Sequence, residues 1–515
     1  MRPHRKSLLL LITIIALAGF FRFFHLSNLP PGLYPDEAMN GNNALEAIAK
    51  KDFKVFYPEN NGREGLFINI QALALTLFHK NEPWVLRCVS VVFGTMTVLG
   101  VYFLARELLR KRVSTLDSSK NTYSNSFFSE LHSHYAIALL SALFTATSFW
   151  HINFSRIGFR AIMAPFFLTW AIFFLLKSLR DEARGRSGFM YAIFGGIFFG
   201  GGFHSYIAYR ATPLLIFLVL ILFIKEIGWQ KVLRVAFLYA LVSIIVASPL
   251  LLYFLHNPQD FFGRTTQISI FTSTTPLKDL GSNVLKTILM FNVRGDENWR
   301  HNISGTPLVP GITGVFLLLG LVYAIKRVIS KKLPEENNDR RSVLILFSWV
   351  VIAALPVVVS NEGIPHALRS ILLIPPVMIL IGWGAFIFLK TIRLVFPQGK
   401  KITGLFLTGM IIIVTLQSYR DYFVTWGGNP ETSGAFNENY VTIGKKINAL
   451  PREVPKYVVV EAGGVLVRNI PMPAETVMFI TDSFRKEERV KKNIFYVLPN
   501  ESIAIPSDAK IFTVN

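Results

Sequence analysis

The chain has 515 residues, 52% of them hydrophobic and 17% charged, with a mean hydropathy of +0.44. Soluble domains carry about a quarter charged residues, so this apolar excess exceeds what one globular core can bury and the bilayer must solvate much of it. The net charge of +21 sits in short clusters between apolar runs, a pattern that orients a membrane protein and speaks against a nucleic-acid-binding role.

Apolar stretches near the roughly 20 residues a bilayer requires predict eleven spans. In chain order these are Ser7–Phe24, Trp84–Leu104, Tyr135–Trp150, Ala161–Leu179, Phe189–Phe203, Pro213–Ile227, Val235–Phe254, Val309–Ala324, Val343–Val359, Ser370–Leu389 and Thr403–Gln417. Several are short, notably Phe189–Phe203, and imply tilt or local thinning. The single cysteine, Cys88, falls inside a span, which excludes an intrachain disulfide and a cysteine metal cluster.

Basic clusters set the sides. Arg2, Arg5 and Lys6 precede the first span, and Arg106, Arg110, Lys111 and Arg112 follow the second. Lys177, Arg180, Arg184 and Arg186 follow the fourth, and Lys326, Arg327, Lys331, Lys332, Arg340 and Arg341 follow the eighth. Lys390, Arg393, Lys400 and Lys401 separate the last two. All fall on one side if the N-terminus is cytoplasmic, which leaves the C-terminus outside. Met1–Ala18 also reads as a secretory signal ending at Ala16-Leu17-Ala18, and the segment after it is outside in either reading.

The expected architecture is therefore a polytopic α-helical domain over 1–417 and a soluble extracytoplasmic α/β domain over 418–515. Two long outer loops, 27–83 and 255–308, each contain a stretch suited to an interfacial helix, Leu66–Phe78 and Asn283–Phe291. In the tail, Tyr457–Val460, Thr476–Ile480 and Asn493–Leu498 read as strands. The tail carries no glycine fingerprint or metal-ligand pattern.

Asp36-Glu37 lies just beyond the first span, where Pro30, Pro31 and Pro35 turn the chain out of the membrane. A carboxylate there could deprotonate an acceptor hydroxyl or hold a cation; the alternative is a solvated loop acid. Arginines recur at outer helix ends: Arg156 and Arg160 after the third span, Arg210 in His204-Ser205-Tyr206-Ile207-Ala208-Tyr209-Arg210, and Arg369 in His366-Ala367-Leu368-Arg369. They run against the positive-inside trend and would suit a lipid phosphate, although ordinary snorkelling also explains such residues.

The densest polar cluster of the second loop, Gly295-Asp296-Glu297-Asn298-Trp299-Arg300-His301-Asn302, offers sugar- or phosphate-binding groups or else an exposed turn. Arg63-Glu64-Gly65-Leu66 either closes the first loop over a site or is a helix-start charge pair. Gly195-Gly196 and Gly200-Gly201-Gly202 would let helices approach closely and are not a nucleotide loop.

Taken in order, these features resemble a bacterial family-39-type membrane glycosyltransferase, of the group that includes protein O-mannosyltransferases and lipid A aminoarabinose transferases. The resemblance rests on Pro35-Asp36-Glu37-Ala38, Gly62-Arg63-Glu64-Gly65-Leu66-Phe67-Ile68, Leu86-Arg87, Ser155-Arg156-Ile157-Gly158-Phe159-Arg160 and Tyr206 to Arg210, and covers about Met1–Gln417. Many relatives carry Lys-Pro-Pro-Leu where this chain has Arg63-Glu64-Gly65-Leu66.

The resemblance implies a GT-C fold, a polyprenyl-phosphate-linked sugar donor, and inverting transfer to a lipid, glycan or protein hydroxyl outside the cytoplasm. Asp36 would be the general base and Glu37 its supporting acid. Arg63, Glu64, Arg156, Arg160, His204, Tyr206, Arg210, Asp296, Arg300, His301, His366 and Arg369 would be the candidate donor and substrate contacts. Nucleotide sugars are confined to the cytoplasm, so an outward-facing transferase needs a lipid-borne donor. No cofactor is required, and no metal ligand set is assigned; Asp36, Glu37 and Asp296 could share a divalent cation if the two loops meet. A transporter or lipid flippase would share the spans and the arginines but leaves the large outer loops and the outer tail domain unexplained, and a scaffold presenting the tail to envelope enzymes would not need Asp36.

Overall fold

A computed structural model describes residues 3–110, 133–267, 270, 274–329, 336–361, 363–396, 398–499, 501 and 505–515. Arg2, Lys111, Arg112, Lys331 and Lys332 of the basic clusters lie outside the described residues. So do residues 268–269 and 271–273 of the second long loop.

Among the described residues, nine helices are long and apolar enough to cross a bilayer: Lys6–Phe23, Pro83–Leu108, Arg160–Ala183, Ile207–Ile227, Trp229–His256, Gly311–Ile329, Arg340–Val358, Ile371–Val395 and Gly399–Trp426. The two remaining expected spans are shorter apolar helices, Ser133–Thr147 and Phe189–Gly202. The expected Tyr135–Trp150 run breaks at Ser148. There the backbone turns extended and the Ser148 hydroxyl accepts the His151 N–H, so that Phe149–Phe154 starts as a new helix. The protein is a polytopic helical membrane protein.

Burial separates central helices from lipid-facing ones. In Ile371–Val395 83% of the most apolar window is buried, against 22% in Trp229–His256. The central pile runs from Gly311–Ile329 through Ile374–Val395 and Ser133–Thr147 to Pro83–Leu108 and Met163–Ala183. Phe189–Gly202 then packs between Met163–Ala183 and Trp229–His256. Its glycines explain the fit. A Cβ on Gly196 would come within 2.7 Å of the Tyr239 carbonyl oxygen, and the Ser243 hydroxyl donates across the contact to the Gly196 carbonyl at 3.2 Å.

Both stretches expected to lie along the interface are helical, as Gly65–Phe78 and Pro276–Leu289. The 27–83 loop adds a further helix, Pro35–Lys50, with proline in its first turn and Asp36 and Glu37 at its positive end. It is followed by a two-residue antiparallel ladder pairing Phe56 with Glu64 and Tyr57 with Arg63. The reversal between them uses Asn60, Asn61 and Gly62 at positive φ, residue types that accept the left-handed region.

After Trp426 the C-terminal part forms a small α/β layer. Its parallel sheet has Lys456–Val460 in the centre, flanked by Ile494–Val497 and Lys510–Val514. The expected strand at Thr476–Ile480 is instead a helix, Ala474–Thr481, buried along its whole length. The third strand is Lys510–Val514, which is not among the expected strands. The core of this layer includes Met39 from Pro35–Lys50, so the two parts share packing.

Candidate active site at the outer helix ends

Asp36 opens onto a cavity of about 210 Å³. Tyr34, Asn40, Asn60, Asn61, Arg63, Phe159, Arg160, Ala161, Tyr206, Arg300, His301, His366 and Leu368 complete its lining. These residues come from both long outer loops and from the starts of three helical segments, so tertiary packing assembles the site from distant stretches of chain.

The Asp36 carboxylate accepts a hydrogen bond from the Asn60 amide, at 2.7 Å, across the left-handed turn. Tyr34 sits at the helix N-cap under the Arg300 guanidinium, 4.0 Å from its ring centroid. Burial, then the negative charge of Asp36, pushes the Tyr34 hydroxyl up to about 12, so it remains a neutral donor.

Arg63 is buried, and its fork spans two asparagines of the Asp36 helix: Nη1 donates to Asn40 at 2.8 Å and Nη2 to Asn43 at 2.5 Å. Burial and the neighbouring Arg160 lower its pKa to about 10, which leaves it charged. Arg160 pairs with Glu64 at 2.6 Å. Arg63, Arg160 and Arg300 therefore line the cavity together with Asp36, an arrangement suited to an anionic ligand.

Glu37 points elsewhere. It is fully buried in a two-pronged pair with Arg87, at 3.0 and 3.1 Å, and accepts the Gly158 N–H at 2.6 Å. Arg87 also holds the carbonyls of Pro30 and Gly32, at 2.6 and 2.8 Å, and so clamps the turn that leads into Pro35. The sequence alone gave Arg87 no such role, because its partner lies fifty positions away.

Several other expected contacts also lie outside the cavity lining. Arg156 donates to the carbonyls of Phe21, Arg22 and Leu29 and stacks over Tyr422 and Phe423, which binds the end of the first span to the last one. His204 contacts the Val246 carbonyl. Arg210 donates to the Phe261 carbonyl and lies over Phe254 and Phe261. Arg369 donates to Ser360.

Asp296 joins His301 and His366 beside the cavity. Asp296 Oδ2 lies 3.0 Å from His301 Nδ1 and 3.8 Å from His366 Nδ1. This group could hold a metal ion; Asp36 and Glu37, expected as partners of Asp296, are not part of it.

No protein-family model matches the sequence, and no curated protein sequence matches it significantly. Solved structures match along nearly the whole chain. One is an apo oligosaccharyltransferase of Archaeoglobus fulgidus, 12% identical with a TM-score of 0.55, covering 92% of this chain and 64% of that one. The chain thus spans less than two thirds of that enzyme's length. Another is ArnT of Cupriavidus metallidurans bound to undecaprenyl phosphate, 13% identical with a TM-score of 0.55, covering 94% of this chain and 89% of that one. The shared architecture is the GT-C fold of membrane glycosyltransferases, and this chain has that fold.

Proposed function

We propose that the chain is a membrane glycosyltransferase that moves a sugar from a polyprenyl-phosphate donor to an acceptor hydroxyl at the outer face. The observation that carries this reading is the cavity that sets Asp36 among Arg63, Arg160 and Arg300 at the helix ends. The fold match supports it. ArnT was solved with undecaprenyl phosphate and the archaeal oligosaccharyltransferase with a dolichol-phosphate.

In this mechanism Asp36 takes the acceptor proton as the hydroxyl attacks the anomeric carbon, and the configuration inverts. The Asn60 contact steers the carboxylate through one of its oxygens. Negative charge grows on the departing lipid phosphate, and Arg63, Arg160 and Arg300 stabilise it in a poorly solvated site. Glu37 supports the reaction only through Arg87. In this reading the N-terminus is cytoplasmic, the helical part through the Gly399–Trp426 span forms the transferase domain, and the C-terminal layer after it lies outside.

The test is transfer from radiolabelled polyprenyl-phosphate sugars in membranes holding equal amounts of wild type or Asp36→Asn. Loss of a general base predicts a fall of about 10²–10⁴-fold. Equal transfer by both proteins would remove Asp36 from the chemistry.

A further inference from the structure

The two imidazoles that close the Asp36 cavity converge, on their other side, on Asp296. His301 and His366 stack with ring centroids 4.8 Å apart and planes inclined by 30°. Each turns Nδ1 toward the same carboxylate oxygen, and the three ligand atoms lie within 4.8 Å of one another. Tetrahedral zinc with bonds of about 2.0–2.1 Å requires ligand separations of about 3.3 Å, between the two distances observed to Asp296.

The acid is already oriented. Asp296 Oδ1 accepts the Asn298 N–H at 2.9 Å and Oδ2 the Ala367 N–H at 2.8 Å, so backbone donors from both joined segments fix it. His366 Nδ1 lies 3.8 Å from the carboxylate oxygen and 3.4 Å from the Arg369 backbone nitrogen, so the ring is held beside the acid. A second cavity, of about 560 Å³, reaches all three residues and provides an entry path and room for a water ligand. Lys286 and Arg294 also line it, and Glu297 pairs with Arg294 at 2.5 Å.

We propose that Asp296, His301 and His366 bind one zinc-class divalent cation, which staples the loop carrying Arg300 to the segment before the Ile371–Val395 span. Two imidazoles and one carboxylate favour zinc over magnesium or calcium, which prefer all-oxygen sites. The proposal does not depend on the transferase reading, because metal binding is measured without turnover.

The test uses full-length protein in detergent, purified with a tag that binds no metal. Elemental analysis is expected to give about one zinc per chain, and Asp36→Asn to keep it. His366→Asn and Asp296→Asn are expected to lower zinc occupancy at least tenfold. In case those variants fold poorly, wild type stripped by chelator and titrated with Zn²⁺, Mn²⁺ or Mg²⁺ provides a second readout. Zinc should raise its melting temperature most and magnesium least. Wild type that is zinc-free as purified and unmoved by added zinc would overturn the proposal. So would equal zinc occupancy in wild type and His366→Asn.

Discussion

Glu37→Gln separates a structural acid from a chemical one. The substitution keeps the side-chain volume but leaves the Arg87 guanidinium, whose side chain is 0% exposed, without its counter-charge. Two charge-assisted hydrogen bonds from Arg87 and one backbone bond from Gly158 converge on this carboxylate. Removing one member of such a buried pair costs about 3–5 kcal/mol, because the other charge stays desolvated. No solvent discount applies at this depth, so the upper half of that range is expected. Melting temperatures of purified Glu37→Gln, Arg87→Gln and the double variant give a double-mutant cycle. Each single change should destabilise strongly and the pair by clearly less than their sum. If Glu37→Gln melts like wild type yet transfers no sugar, Glu37 acts in the chemistry and the clamp argument fails.

Gly200→Val should loosen the helix pair 189–202 and 229–256, since even a Cβ there would come within 2.5 Å of the Ser243 carbonyl oxygen. A loss of about 1–3 kcal/mol is expected, read as a lower melting temperature. Arg63→Lys keeps the charge but cannot bridge Asn40 and Asn43 at once. Transfer should fall by roughly two orders of magnitude, and unchanged donor kinetics would exclude Arg63 from the site. Glu475, buried against Asn42, has its pKa raised by burial from 4.5 to about 7. The folded state therefore holds the proton more tightly than the unfolded chain does. Stability from this group is full below about pH 4.5 and declines as pH rises toward 7, by about 3 kcal/mol. Glu475→Gln should flatten that decline in melting temperature between pH 5 and 7.5.

The spans were legible because each long apolar run carries its own signal. The Asp36 helix was not, and for a physical reason. Pro35–Lys50 contains Gly41 and the asparagines Asn40, Asn42 and Asn43, which favour turns over helix. Tertiary partners override that preference, since the amide of each asparagine meets a specific group: Gly158 for Asn40, Glu475 for Asn42 and Glu59 for Asn43. The arginines show the opposite limit. A charge near a helix end is visible in sequence, but its direction is not, so Arg156 on backbone carbonyls and Arg160 in the cavity look alike. Thr476–Ile480 failed because a short, wholly buried apolar run has the same composition as strand or helix. The Asp296–His366 contact joins residues seventy positions apart and carries no local signal.

A helix of weak intrinsic propensity that carries the proposed base must be held from outside, and the contacts show what holds it. At its start, Glu37 engages Arg87 and Gly158 of the helical part. Along its length the C-terminal layer takes over. Met39 enters that layer's core, Gly41 leaves room for the Phe479 ring, Asn42 donates to Glu475, and Thr476 donates to the Leu33 carbonyl just before the helix. At its far end Arg468, at the tip of the Leu466–Val467 and Ile470–Pro471 hairpin, reaches Glu46 at 2.7 Å and Glu59 at 2.8 Å. Glu59 stands beside Asn60, the residue that hydrogen-bonds Asp36. Productive geometry tolerates about 0.5 Å of error, and neither part alone contacts the helix on all these sides. The C-terminal layer, which offers no chemistry of its own in the sequence, thus shares with the helical part the support of the helix that carries Asp36.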